Sequence, residues 1–101
     1  MVKWENLVVG DIGSPYACPN YPIKSVQVLG TFGAGNVLIE GSNMPTSPTY
    51  VGARNPWGTV LNFNTGDLKG IGENTYYIRP RVMNGDATTD VDVYLLCVTE
   101  R

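Results

Sequence analysis

The side chains able to do chemistry in this chain are nine carboxylates, two thiols and seven cations, with no histidine. Lacking histidine, it has neither the commonest general base nor most transition-metal ligands. Ser-His and Cys-His nucleophile systems are therefore excluded. Cys18 and Cys97 are not in C-x-x-C spacing, which removes the usual zinc signature. Carboxylates alone remain as acid–base candidates. Yet Glu5, Asp11, Glu40, Asp67, Glu73, Asp86, Asp90, Asp92 and Glu100 fall mostly in turns or at strand ends, where solvated carboxylates belong. Gly30-Thr31-Phe32-Gly33-Ala34-Gly35 looks like a dinucleotide loop, but that fingerprint needs a helix N-terminus at the pyrophosphate. The loop runs instead into NVLIE, a strand. Asp86–Asp92 is acidic but lacks the D-x-[DN]-x-[DN]-G order of a calcium loop. The expectation is no enzyme, no metal and no cofactor.

Interaction residues are the alternative. Trp57 follows Asn-Pro in a turn. It either anchors a partner, as interface tryptophans do, or folds back over an open end of the domain. Trp4 either pins the terminal strand or reaches a neighbouring subunit. Arg79 and Arg81 are expected to pair on a sheet surface with Asp92 or Glu40. Cys97 continues the alternating face Val91, Val93, Leu95 as a small hydrophobe, while Cys18 lies in the Pro-rich stretch PYACPNYP. No disulfide is expected between them.

The elements that must position these residues are strands. At 101 residues the chain has the length of one domain, and a fold of that size buries roughly 60–70% of its unfolded surface. Charged residues make up 16% and the net charge is −2. Scattered cations and an acidic balance argue against nucleic acid as a partner. A weakly charged surface suits docking on protein. No run approaches the ~20 apolar residues of a membrane span, and MVKWENLVVGDIG lacks a signal-peptide core, so a cytoplasmic origin is expected.

Ser25–Phe32 and Asn36–Ser42 alternate with period two around Gly33-Ala34-Gly35, which reads as a hairpin. Residues 1–22 read as an extended N-terminal arm before a body over 23–101. Its β-like start leads into a tract with three prolines, where Tyr16 and Tyr21 lay their rings on the body. Asn43–Pro48, carrying Met44 and Pro45, is a loop. Short strands are expected over Thr49–Arg54 and Thr59–Phe63 around an Asn55–Gly58 turn. Two glycines make a helix in LKGIG improbable. Thr75–Met83 and Asp90–Thr99 alternate too; paired antiparallel, they would set Val82 against Val91 or Val93. Pro80 belongs at an edge or a bulge. The fold class is all-β, an antiparallel β-sandwich or jelly-roll-like single domain.

SVQVLGTFGAGNVLIEGSN, with GDIGSP before it, NPWG in the middle and YYIRPRVMNGDATTDVDVYLL at the end, resembles small tailed-bacteriophage virion proteins. Among these the chain is most similar to capsid decoration (cement) proteins. Their pattern is a strand ending G-T-F-G, a second reading V-x-I-E-G-S-N, a D-P-x-G-type turn, and Y-I-R-P-R-V followed by G-D-x-T-T. The resemblance covers about Gly10 to Leu96. It departs after E-G-S, where Asn43–Pro48 replaces an Asn-Asp-Gly turn and an aromatic. The resemblance implies a non-enzymatic homotrimer on the virion surface, made in the host bacterial cytoplasm and bound to the major capsid protein. The arm and the Asn43–Pro48 loop would make that contact, with Trp4, Tyr16, Tyr21, Met44, Pro45 and Trp57 as the candidate partner-binding residues. I-E-G-S-N is also similar to discoidin-like jelly rolls, which implies host-glycan binding as the alternative, beside another head–tail or tail role.

Overall fold

The computed structural model describes residues 1–98, and the chain in it is all strand and turn. The strands are β1 (Val2–Leu7), β2 (Tyr16–Ala17), β3 (Ile23–Thr31), β4 (Gly35–Ser42), β5 (Val51–Gly52), β6 (Asn62–Phe63), β7 (Asp67–Ile71), β8 (Tyr77–Asn84) and β9 (Asp90–Val98). They form two antiparallel sheets. Sheet A has the order β1-β9-β3-β7, and sheet B the order β2-β8-β4-β5, with β6 also on β4. The expected β-sandwich is thus present, and the first four residues of LKGIG lie in strand β7. Thr99 and Glu100, counted in the sequence-based expectations, lie outside the described residues.

The alternation correctly assigns faces. Val26 and Val28 of β3, Val37 and Ile39 of β4, Ile78 and Val82 of β8, and Val91, Val93 and Leu95 of β9 are all buried in one core. Removing these side chains from water is the main force holding the sheets together, at roughly 1.5–3 kcal/mol for each fully buried one.

The alternation misassigns neighbours. β3 and β4 do not pair with each other: β3 lies between β9 and β7 in sheet A, while β4 pairs with β8, β5 and β6 in sheet B. The Ser25–Ser42 hairpin is therefore an arch crossing from sheet to sheet. Its corner is closed by the Gly35 N–H donating to the Phe32 carbonyl at 2.8 Å, with Gly33 at φ 58°. An arch turns both apolar faces toward each other across the core, whereas a hairpin would lay them side by side in one sheet. Likewise β8 and β9 lie in opposite sheets; Val82 faces Val37, and Val91 faces Gly30 and Leu7. Asp92 accepts a hydrogen bond from the Asn6 N–H.

Residues 1–22, expected to form an arm, are instead shared between the sheets. β1 pairs with β9 and β2 with β8. Trp4 donates its indole N–H to the Ser14 carbonyl at 2.9 Å, and Gly13 packs so close that a Cβ there would lie 2.6 Å from the Trp4 ring. Pro80 pairs with Ile39. Ile39 turns its own N–H and carbonyl away from β8, to Leu61 and Ala53, so this is a non-hydrogen-bonded pair and the missing Pro80 donor costs β4 nothing.

Candidate functional site

Every second side chain of β4 and β8 points out of sheet B. This puts Glu40 directly opposite Arg79, with Arg81 two residues along β8. Glu40 is only 4% exposed. Its Oε1 accepts from Arg79 Nε at 2.9 Å, and its Oε2 lies 3.7 Å from Arg81 Nη1. The Arg79 guanidinium lies 3.6 Å from the centroid of the Tyr50 ring, which shields the ion pair from water and adds cation–π attraction. Of the two partners expected for these arginines, Glu40 is the one present. Through Tyr50 the network touches the loops between β4 and β6.

Those loops leave β4 and return to it. Asn43–Pro48 is tied down at its start, where the Met44 N–H donates to Ser42 Oγ, and at Pro45, whose carbonyl accepts from the Tyr77 hydroxyl. Next comes a short hairpin built on the Arg54–Val60 bridge. At its tip Asn55 Oδ1 accepts from the N–H groups of Trp57 and Thr59, and the Gly58 N–H donates to the Asn55 carbonyl. Arg54 adds a bond from Nη1 to the Gly58 carbonyl at 2.8 Å. The backbone of the tip is therefore fixed, while Trp57 is 86% exposed. Of its two expected positions it takes the outward one. A large aromatic on an ordered turn loses little conformational freedom on binding.

The six candidate residues do not converge. Trp4, Tyr16 and Tyr21 are partly buried against the core, where they hold residues 1–22 to the body. Met44, Pro45 and Trp57 are exposed, and all three lie in the segment between β4 and β6. Beside the Asn43–Pro48 loop is a cavity of about 150 Å³ lined by Ser42, Met44, Thr49, Val51, Glu73 and Thr75 among others. Sequence reasoning missed this cavity because Glu73 and Thr75 enter it from a distant connection.

Sequence reasoning also missed Lys24, which is buried at 3% exposure. Its ammonium donates to the Tyr21 carbonyl at 2.7 Å and to Asn74 Oδ1 at 3.4 Å, so hydrogen bonds satisfy the buried charge. No pattern around Ser25 signals a buried cation. Cys18 and Cys97 are free thiols. Burial pushes both thiol pKa values up, and Lys24 partly offsets the rise. Raised values make both thiols poor nucleophiles. Among the described residues no three His, Cys, Asp or Glu side chains group as metal ligands.

At the other end of the sandwich, the β8–β9 loop locks onto the β3–β4 arch. Thr89, buried, donates from Oγ1 to the Phe32 carbonyl at 2.9 Å. Asp86 accepts from the Thr88 hydroxyl and N–H, and its carboxylate lies against Gly33 so closely that a Cβ there would lie 2.5 Å from it. The bonds from Thr88, with another from Ala34, hold the Asp86 carboxyl below its ordinary value. A depressed carboxylate contributes stability above its unfolded-state pKa, and that contribution disappears as pH falls through the folded one. Urea midpoints measured from neutral pH to well below the ordinary carboxylate value of about 3.9 are expected to fall less in Asp86→Asn than in the parent, with the two curves converging below about pH 4. Parallel curves would remove Asp86 from the acid response.

No family model, no curated protein and no solved structure matches this chain.

Proposed function

We propose that this protein is a non-enzymatic structural component of a tailed-phage virion that decorates the outer surface of the capsid shell. Its partner there is the major capsid protein. The observation that supports this reading best is where the stretches of the resemblance fall in the fold. V-L-I-E-G-S and Y-I-R-P-R-V are adjacent strands, β4 and β8, joined across the ladder by Glu40 and Arg79. G-T-F-G and G-D-A-T-T, 57 residues apart at their contact, meet through Thr89 and Phe32. The short matches therefore describe two touching pairs rather than four scattered coincidences. The strand order supports the same reading: with β5 and β6 taken as one interrupted strand, the chain winds as an eight-stranded jelly roll.

Such a protein works by bridging. A rigid sandwich presents Met44, Pro45 and Trp57, and a self-associated particle touches several capsid subunits at once. Rupture of the shell then has to break several contacts together. The test is co-sedimentation of the purified protein with expanded heads and with empty shells of its phage. Saturable binding is expected, with Trp57→Ala weakening it about tenfold or more, the scale of an interface hot spot, at unchanged thermal stability. Binding to neither particle would overturn the proposal.

A further inference from the structure

The two edges of sheet A differ. At the β1 edge Asn6 has φ 56° and the register with β9 shifts between Trp4 and Leu7. A bulge of this kind twists an edge away from other strands. The β7 edge has no bulge; its charges, Asp67 and Lys69 opposite Val28 and Val26, discourage pairing with a strand that does not bring the opposite charges. β7 runs in unbroken register with β3, from Lys24 opposite Ile71 to Val28 opposite Asp67, and no strand lies on its far side. The hairpin corner covers only its end, where the Gly72 N–H donates to the Arg54 carbonyl.

The residues on this edge are self-complementary. Asp67 and Lys69 flank Leu68, which is 62% exposed. Leu68 lies opposite Gln27 of β3 on the outer face, where it lines a hollow of about 230 Å³ with Met1, Tyr94 and Leu96. We infer that β7 pairs antiparallel with β7 of a second copy of this chain, about a two-fold axis through Leu68. That register sets Asp67 opposite Lys69 of the second copy, twice, and Leu68 against Leu68. Gly66 falls opposite Gly70, where Pro56 Cδ lies 4.0 Å from the position a Gly70 Cβ would take. Moving the axis by one residue sets Asp67 opposite Asp67, or Lys69 opposite Lys69, and like charges directly opposite repel. Half-residue moves set side chains from opposite faces against each other, which the sheet does not allow. Among these registers only the one through Leu68 sets each charge opposite its complement.

Within one chain the Asp67–Lys69 contact is 3.9 Å and more than a third exposed on both sides, so little holds these charges together at home. Lys69 also lies over the Phe63 ring, 5.2 Å from its centroid, so pairing across the seam competes with one weak ion pair and one ring contact. The result is a continuous eight-stranded sheet, an isologous contact that removes two open edges and covers Leu68. It does not depend on the virion reading.

Light scattering or sedimentation equilibrium of the full chain tests it. The expected mass is twice the 11.0 kDa of one chain. Asp67→Lys alone and Lys69→Asp alone set like charges opposite each other, and each is expected to weaken the dimer about tenfold or more. An equimolar mixture of the two variants is expected to restore it, because each chain then supplies the charge the other needs. Neither variant regains its own internal pair on mixing, so rescue separates the seam from a fold defect. Leu68→Lys is expected to give monomer with a native circular dichroism spectrum. A monomeric parent protein, a trimer indifferent to these changes, or a mixture that fails to recover would each overturn the inference.

Discussion

Glu40→Ala is expected to destabilise the fold by about 2–3 kcal/mol. Removing one partner of a buried pair costs roughly 3–5 kcal/mol, and the lower value allows for Arg79 being one-fifth exposed. The loss has a specific origin. Arg79 would keep only the Tyr50 ring as a partner while remaining mostly out of water. For a domain of this size each kcal/mol shifts the melting temperature by roughly 4–8 °C, so the expected fall is large enough for routine calorimetry. The double variant Glu40→Ala/Arg79→Ala is expected to cost less than the two singles added, because it leaves no unpaired buried charge. A single-variant loss below about 0.5 kcal/mol, typical of an exposed pair, would mean the network is solvent-screened.

Phe63→Ala is expected to cost more, about 3–5 kcal/mol, a large part of the 5–15 kcal/mol that holds an ordinary domain together. Phe63 belongs to a strand of only two residues, yet it is 2% exposed and among the largest fully buried side chains. β6 has little ladder of its own, pairing only Val37 with Phe63 and Leu38 with Asn62. Its place therefore depends on the ring inside the core rather than on backbone bonds. Losing the ring is expected to loosen the hairpin that carries Trp57. Hydrogen exchange should then speed up at the Ile39 and Leu61 amides, which donate to Leu61 and Ala53, more than in the β3–β9 ladder. Phe63→Leu is expected to cost much less. A loss under about 1.5 kcal/mol for alanine, the range of conservative core swaps, would mean β6 is held by its neighbours instead.

These two sites also mark what the sequence made legible. Period two assigns Glu40, Arg79 and Arg81 to outward faces, so their pairing was one of the two arrangements expected. Period two carries no information about which strand lies alongside, and that is where Ser25–Ser42 misled. Three residues around Gly33 serve a hairpin or an arch equally well locally. The arch is selected by contacts that arrive 57 residues later, from Thr89 on Phe32. The three prolines of Ser14–Pro22 suggest an extended arm because proline removes ladder donors. Only two residues of that tract, Tyr16 and Ala17, needed to pair for β2 to join sheet B. Trp57 was undecidable because burial of a turn residue depends on what stands over it. The open β7 edge was invisible for a related reason. LKGIG has a β-strand's length, but its two glycines hide the alternation, and only the sheet order shows that it has no outer neighbour.

The functional reading rests on a surface rather than a reaction. Loops on a rigid scaffold carry specificity, and here the Asn43–Pro48 loop follows β4 while the Trp57 hairpin connects β5 to β6. The most direct test is an electron cryomicroscopy map of the virion. Density fitting this two-sheet fold is expected on the outer surface of the head, with the β4–β6 loops against the major capsid protein. Density for it in the tail or baseplate, or on no part of the particle, would contradict the capsid-surface role.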